Sequence, residues 1–179
     1  MAEFSLRPAT PGDLTEILRL EALGFAEGNQ ESADVYAERI EVFPPGSLMA
    51  MDGDTCIGCF FAEVWQDKPA YVAEDFQLGH SIRAAHDLTA GNCLYVASMT
   101  IDPQYRGDGH GARLFRAGVT RLVADYPQLR SVVLLVNETW HRARSIYASA
   151  GFTEVTRLPA FFEPAPNCLQ TGIVMKHTI

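Results

Sequence analysis

The sequence predicts an α/β chain in the order β-α-α-β-β-β-α-β-α-β-β, and three stretches predict it. An apolar, β-branched segment over 92–102 ends at Asp102-Pro103 and opens through Arg106-Gly107-Asp108-Gly109-His110-Gly111 into a helical run. A second strand, Ser131-Val132-Val133-Leu134-Leu135-Val136, is followed by a helix from Trp140 to Ala150. Asp52-Gly53-Asp54, set between two apolar runs, is a hairpin signal.

The remaining elements follow in chain order. Glu3 to Arg7 reads as a short strand, and Thr10-Pro11-Gly12-Asp13 caps a helix that carries Leu14, Ile17, Leu18, Leu20 and Leu23. A second helix spans 32–42, and Pro44-Pro45-Gly46 ends it. Residues 47–52 and 55–65 form the hairpin, while 66–91 carries no strong period. The helix at about 110–125 breaks at Asp125-Tyr126-Pro127, and 152–158 and 171–177 supply two final strands.

No repeat, linker or low-complexity segment divides the 179 residues, so 1–179 is expected to be one domain. At this size a chain buries roughly 70% of its unfolded surface and needs no staples. A hydrophobic content of 47% and a mean hydropathy near zero fit a soluble globule. No apolar run approaches the roughly 20 residues of a membrane span. Met1-Ala2-Glu3 lacks the charged start and apolar block of a signal peptide, so the expected location is cytoplasmic. The net charge of −8 weighs against nucleic acid or an anionic membrane as partner, since both demand a basic face, and mildly favours a cationic substrate.

Cys56 and Cys59 form a C-x-x-C, which raises redox or metal chemistry. On a strand over 55–65 they are expected to point to opposite faces, no second Cys or His pair completes a zinc set, and no helix follows to lower a thiol pKa. The expectation is buried, inert thiols and no metal site.

The glycine turn carries the chemistry. Glycines at 107, 109 and 111 permit positive φ and close approach of a ligand, and the unpaired N–H groups and dipole of the next helix favour an anion, such as a pyrophosphate. Arg106 adds positive charge. No Lys follows the glycines, which excludes a nucleoside triphosphate loop, and the turn lies past mid-chain rather than in an early dinucleotide-binding unit. A tight turn with no ligand is the bland alternative.

Arg-x-x-Gly-x-Gly-Ala after a strand ending in Asp-Pro resembles the acetyl-CoA signature of the GNAT superfamily of N-acetyltransferases. Ala143-Arg144-Ser145-Ile146-Tyr147-Ala148-Ser149-Ala150-Gly151-Phe152 resembles the family's A-x-x-L/I-Y-x-x-x-G-F segment, in the right order and separation. The resemblance covers nearly the whole chain. It implies a central mixed, mostly antiparallel sheet of about seven strands flanked by about four helices, with two central strands splayed around a pantetheine arm. It further implies acetyl-CoA as cosubstrate and Met99, Thr100, Ile101, Arg106, Gly107, Asp108, Gly109, His110, Gly111, Ala112, Asn137, Arg144 and Tyr147 as its binding residues. Backbone groups of 99–101 would meet the pantetheine amides and an oxyanion. Tyr147 matches the family's general acid, which protonates the leaving thiolate; a half-buried packing aromatic is the alternative.

An alkylamine of pKa about 10 is only roughly one part in a thousand neutral at pH 7, so the acceptor needs a base or a water chain. Candidates are Glu27, Glu63, His80 and His86, with Glu63 and His86 placed beside Tyr147 in the catalytic set. Residues 16–65 look similar to the arylalkylamine N-acetyltransferases, although that group's histidine pair falls where this chain has Tyr95 and Ala97, and Trp140 stands where many GNAT proteins have Asn. Phe25, Trp65, Tyr71, Phe76, Phe161 and Phe162 lie in segments able to line an acceptor pocket. The expected activity is transfer of acetyl to a small primary amine. A non-catalytic acyl-CoA-binding module and acetylation of protein amines stay open, as does a homodimer.

Overall fold

The computed structural model describes residues 4–179. Glu3, where the first strand was expected to begin, and the start of the leader reading at Met1 lie outside them. In chain order the elements are β1 (Ser5–Pro8), α1 (Leu14–Gly24), α2 (Ala33–Val42), β2 (Ser47–Asp52), β3 (Thr55–Trp65), α3 (Ile82–Ala85), β4 (Cys93–Ile101), α4 (His110–Asp125), β5 (Ser131–Asn137), α5 (His141–Ser149), β6 (Thr153–Ala165) and β7 (Cys168–Thr178).

All seven strands join one sheet in the order β1-β2-β3-β4-β5-β7-β6, and every neighbouring pair is antiparallel except β4–β5. The parallel pair at the centre follows from its connection: α4 crosses over from β4 to β5, as a parallel pair requires. On one face α4 lays Leu114, Phe115 and Leu122 against Phe60, Val96 and Val132. On the other, Ile17 and Leu20 of α1 and Tyr36 and Ile40 of α2 pack on Met49, Cys59 and Phe61. That second face continues beyond the helices as Trp65, Phe76, Tyr95, Val133 and Val174.

The local signals explain the element ends. Asp13 accepts from the Thr10 backbone N–H at 2.7 Å and its hydroxyl at 2.9 Å, closing the cap that starts α1. The Ser32 hydroxyl accepts from Val35 N and starts α2. Gly53 turns the β2–β3 hairpin at φ +57°.

The expected helices stand as α1, α2, α4 and α5, and 66–91 adds the single-turn α3, too short to show a period, beside a 3-10 turn at Ala73–Phe76. Two expectations are corrected. The last two strands are far longer than 152–158 and 171–177. Pro159 and Pro164 lie on β6, an edge strand where a missing N–H costs no ladder bond, and bulges after Leu158 and Phe162 absorb them. Cys56 and Cys59 do not face opposite ways. A bulge makes Ala50 and Met51 pair with Gly58 and Cys56, so Ile57 turns to the α4 side and both cysteines pack on the α1–α2 side. Both thiols are free, and burial pushes both above the usual thiol range, as the inert reading requires.

Candidate active site

β4 and β5 pair only from Cys93–Val96 to Ser131–Leu134, then part. β4 runs on to Ile101 bonded to β3 alone, and β5 runs on to Asn137 bonded to β7 alone. The separation begins at a bulge: Phe61 pairs with Ser98 and Ala62 with Val96, leaving Ala97 as the extra residue. From Ala97 onward the β5-facing edge of β4 offers its backbone groups to whatever enters.

Both strands lead into helices at this same end, so α4 and α5 start on either side of the gap. The result is a cleft of about 910 Å³, within the usual range for ligand pockets. Its walls are 96–101 of β4, Leu135 of β5, the glycine turn apart from Asp108, residues 139–143 and 145–147 at the start of α5, and Gly24 with Phe25 at the end of α1.

The turn is glycine-rich for conformational reasons at two positions. Gly107 sits at φ +107° and Gly109, the residue before α4, at φ +78°, and nothing lies within 4 Å of a Cβ built on either. Space is free there; only the backbone angle demands glycine. Arg106 donates through Nε to Ile101 O at 2.9 Å, which fixes its side chain against the end of β4. Two polar atoms in the cleft wall are buried without a partner among the described residues, Thr100 Oγ1 and His110 Nδ1. Such buried orphans cost about 1–3 kcal/mol each.

Tyr147 is packed between Phe115, at 4.8 Å between ring centroids, and Phe152, at 6.3 Å. Burial alone pushes its phenol up to about 12, so at neutral pH it carries its proton, and the cleft includes it.

Of the residues expected around the cosubstrate, Met99, Thr100, Ile101, Arg106, Gly107, Gly109, His110, Gly111, Ala112 and Tyr147 line this cleft. Asp108, Asn137 and Arg144 do not. Asp108 is exposed on the turn. Asn137 is fully buried, donating to Gln170 Oε1 at 2.6 Å and accepting from Thr139 N at 2.9 Å, so it shapes the step from β5 to α5. Arg144 donates to Glu138 O at 3.0 Å.

The base candidates are scattered. Glu27 is exposed in the turn after α1. His86 accepts from Val64 N at 2.9 Å through Nδ1 and lies on the Phe43 ring at 4.4 Å, away from the cleft. Burial holds it below the ordinary histidine pKa. Glu63, wholly buried, meets His80 Nε2 at 2.9 and 3.0 Å, Trp65 Nε1 at 2.9 Å and Arg39 Nε at 3.4 Å. Burial would raise that carboxyl, but His80, Arg39 and Trp65 together hold it below its usual value. His80 is shifted the other way: burial lowers it, and the Glu63 carboxylate more than offsets this. Neither Glu63 nor His80 lines the cleft.

Sequence reasoning passed over Ser98, Leu135, Thr139, His141, Ser145 and Ile146, all in the cleft wall. The signal for Thr139 and His141 was present: they mark a second strand-to-helix step, the counterpart of the glycine turn. Among the described residues no group of three His, Cys, Asp or Glu is placed to hold a metal ion, and no helix is long and apolar enough to cross a membrane.

The sequence profile described as "Acetyltransferase (GNAT) family" matches residues 13–152. No curated protein sequence matches the chain. Among solved structures, the loading GNATL domain of CurA from Lyngbya majuscula superposes with a TM-score of 0.80 at 16% identity, covering 98% of each chain. The GphF GNAT-like decarboxylase in complex with isobutyryl-CoA also gives 0.80 at 16% identity, covering 97% of this chain and 98% of the other. Arabidopsis thaliana Naa50 in complex with a bisubstrate analogue gives 0.72 at 16% identity, covering 98% and 99%. At these identities the likeness speaks for the fold, and the family rests on the profile match. The chain belongs to the acetyltransferase (GNAT) family of acyltransferases.

Proposed function

We propose that the chain, as one domain over 1–179, moves the acetyl group of acetyl-CoA directly to a small primary amine in the cytoplasm. The observation that carries this reading is the cleft between the parted ends of β4 and β5, with the glycine turn at one side and the buried Tyr147 phenol inside it. The unpaired edge of β4 suits the pantetheine amides, and the N–H groups at the start of α4, with Arg106, suit the pyrophosphate. A β4 N–H beside the bulge would stabilise the oxyanion that forms as the amine adds. The Tyr147 hydroxyl, for which burial is the sole cause of the raised pKa, is free to give its proton to the departing thiolate.

Two features favour a small, aromatic acceptor. Phe25, Trp140 and Phe162, from the end of α1, the start of α5 and β6, pack in series as tilted ring pairs with centroids 5.4 Å apart at each step, and the first two line the cleft. Beyond them the connection after α1 closes on β6: a Cβ on Gly28 would overlap the Glu163 carbonyl.

The test is mass-spectrometric detection of N-acetylated product from acetyl-CoA and a panel of arylalkylamines, polyamines, amino acids and short peptides. Acetylated arylalkylamine supports the reading. Product only from peptides moves it to protein amines. Because one structural neighbour is a decarboxylase, CO2 release from a carboxylated acyl-CoA is followed in the same samples; that release without any acetylated amine would replace the proposal.

A further inference from the structure

We propose that Ser98, Tyr36 and Glu21 form a proton relay that takes the first proton from the acceptor amine, with Ser98 as the group that meets the substrate. The inference rests on the acetyl-transfer reading above. Ser98 lines the cleft beside the β4 bulge, where the two strands part. Its hydroxyl is 3.3 Å from the Tyr36 hydroxyl of α2, which donates to Glu21 Oε2 of α1 at 2.6 Å. Tyr36 is wholly buried and Glu21 is 4% exposed, so the chain of hydroxyls is the polar path leading from this part of the cleft wall into the α1–α2 layer.

A phenol has one proton and can accept, which makes the middle of the chain reversible. Tyr36 Oη is within donating distance of both Ser98 Oγ, at 3.3 Å, and Glu21 Oε2, at 2.6 Å, and has a single proton; with Glu21 ionised that proton goes to the carboxylate, and the relay has the Ser98 hydroxyl rotate its own proton toward Tyr36 Oη. When an ammonium delivers a proton to Ser98 Oγ, the Ser98 proton passes to Tyr36 and the Tyr36 proton to Glu21. The same two contacts then run in the opposite sense. The neutral amine adds to the thioester carbonyl, the C–S bond breaks, and the thiolate takes the Tyr147 proton. The nitrogen's second proton restores Tyr147. Glu21 returns its proton to water through the same path after the amide leaves, so one proton is released per turnover.

The surroundings of Glu21 fit an acceptor. Burial raises its pKa, partly countered by the Tyr36 hydroxyl and by Glu31 N, which donates to Oε1 at 2.8 Å. The charged and titratable groups around it are Tyr36 and Arg39 from α2, Glu31 from the α1–α2 connection and Cys59 from β3. Arg39 lies 5.5 Å from the Tyr36 ring centroid and is itself paired with Glu31 and Glu63. A purely structural role, tying α1 to α2, would use Tyr36 and Glu21 and leave Ser98 idle.

The experiment is kcat against pH for wild type, Ser98→Ala, Ser98→Thr and Tyr36→Phe, with the KM for acetyl-CoA and the thermal midpoint measured alongside. Ser98→Ala and Tyr36→Phe are expected to lower kcat roughly 10- to 100-fold near pH 7 with little change in that KM, and to approach wild type as pH nears the amine pKa of about 10. Ser98→Thr, which keeps the hydroxyl, is expected to retain activity. Ser98→Ala with wild-type kcat at every pH overturns the relay, as does a loss by a pH-independent factor. The same convergence in His80→Gln, with Ser98→Ala unaffected, would also overturn it in favour of the His80–Glu63 pair. Wild-type protein that acetylates no amine removes the acetyl-transfer reading and the relay together, whereas active wild type with an indifferent Ser98→Ala removes the relay alone.

Discussion

Tyr147 shows how one side chain can be fixed by packing and still be available for chemistry. Phe115 and Phe152 hold the ring, so replacing the hydroxyl by hydrogen leaves the packing intact. Tyr147→Phe is therefore expected to cut kcat about 100-fold, with the KM for acetyl-CoA and the thermal midpoint almost unchanged; steady-state kinetics on the purified variant checks this. Gly109 is the opposite case, where the backbone matters and the side chain does not. At φ +78° with open space around it, Gly109→Ala strains the turn by about 1 kcal/mol and is expected to raise the KM for acetyl-CoA several-fold while leaving kcat near wild type. Glycines and a motif tyrosine are legible in a sequence because one residue type serves one need. Asn137 and Arg144 were not: each sits in the motif region yet spends its hydrogen bonds on the β5–α5 step. Ser98, Tyr36 and Glu21 are spread over three elements, and no spacing in the chain announces that they meet.

At the scale of elements, bulges decide the geometry. The one opposite Phe61 and Ala62 frees β4 from β5, and the one opposite Ala50 and Met51 turns Cys56 toward Cys59. Alternation patterns read from a sequence assume an unbroken pleat, so both bulges were invisible there, while the strands that carry them were placed within a residue or two. The long β6–β7 hairpin was missed for a related reason. Proline is depleted in strands, and its tolerance on an edge strand depends on a sheet order that only the fold sets. β6 also meets the connection after α1 at Gly28. Gly28→Ala would force the Glu163 backbone away, and the expected cost is about 1–2 kcal/mol, read as a fall of about 2–8 °C in the thermal midpoint together with acceptance of bulkier amines.

Across the whole molecule, a buried charge network joins α2, β3 and the segment before α3. Glu63, Arg39, Glu31 and His80 meet under Trp65, and Arg39 Nη1 has no partner among the described residues. The pH dependence follows from the directions of the shifts. The folded-state pKa of His80 is raised, so its contribution to stability is complete below the unfolded histidine value of about 6.5 and disappears as pH rises through the folded value. Glu63 is lowered, so its contribution is present above the unfolded value of about 4.3 and is lost as pH falls. Denaturant unfolding of wild type and His80→Gln is expected to differ most below about pH 6.5 and to converge as pH rises through the raised His80 pKa.

The proposed site at which acetyl-CoA gives up its acetyl group to an amine is the gap between β4 and β5. The most direct measurement is the initial rate of CoA thiol release from saturating acetyl-CoA on addition of a tryptamine-like or phenylethylamine-like amine, with the background in its absence subtracted. The expected result is saturable release that falls about 100-fold in Tyr147→Phe. Release equal to background with every amine tried, from protein that binds acetyl-CoA, would contradict it.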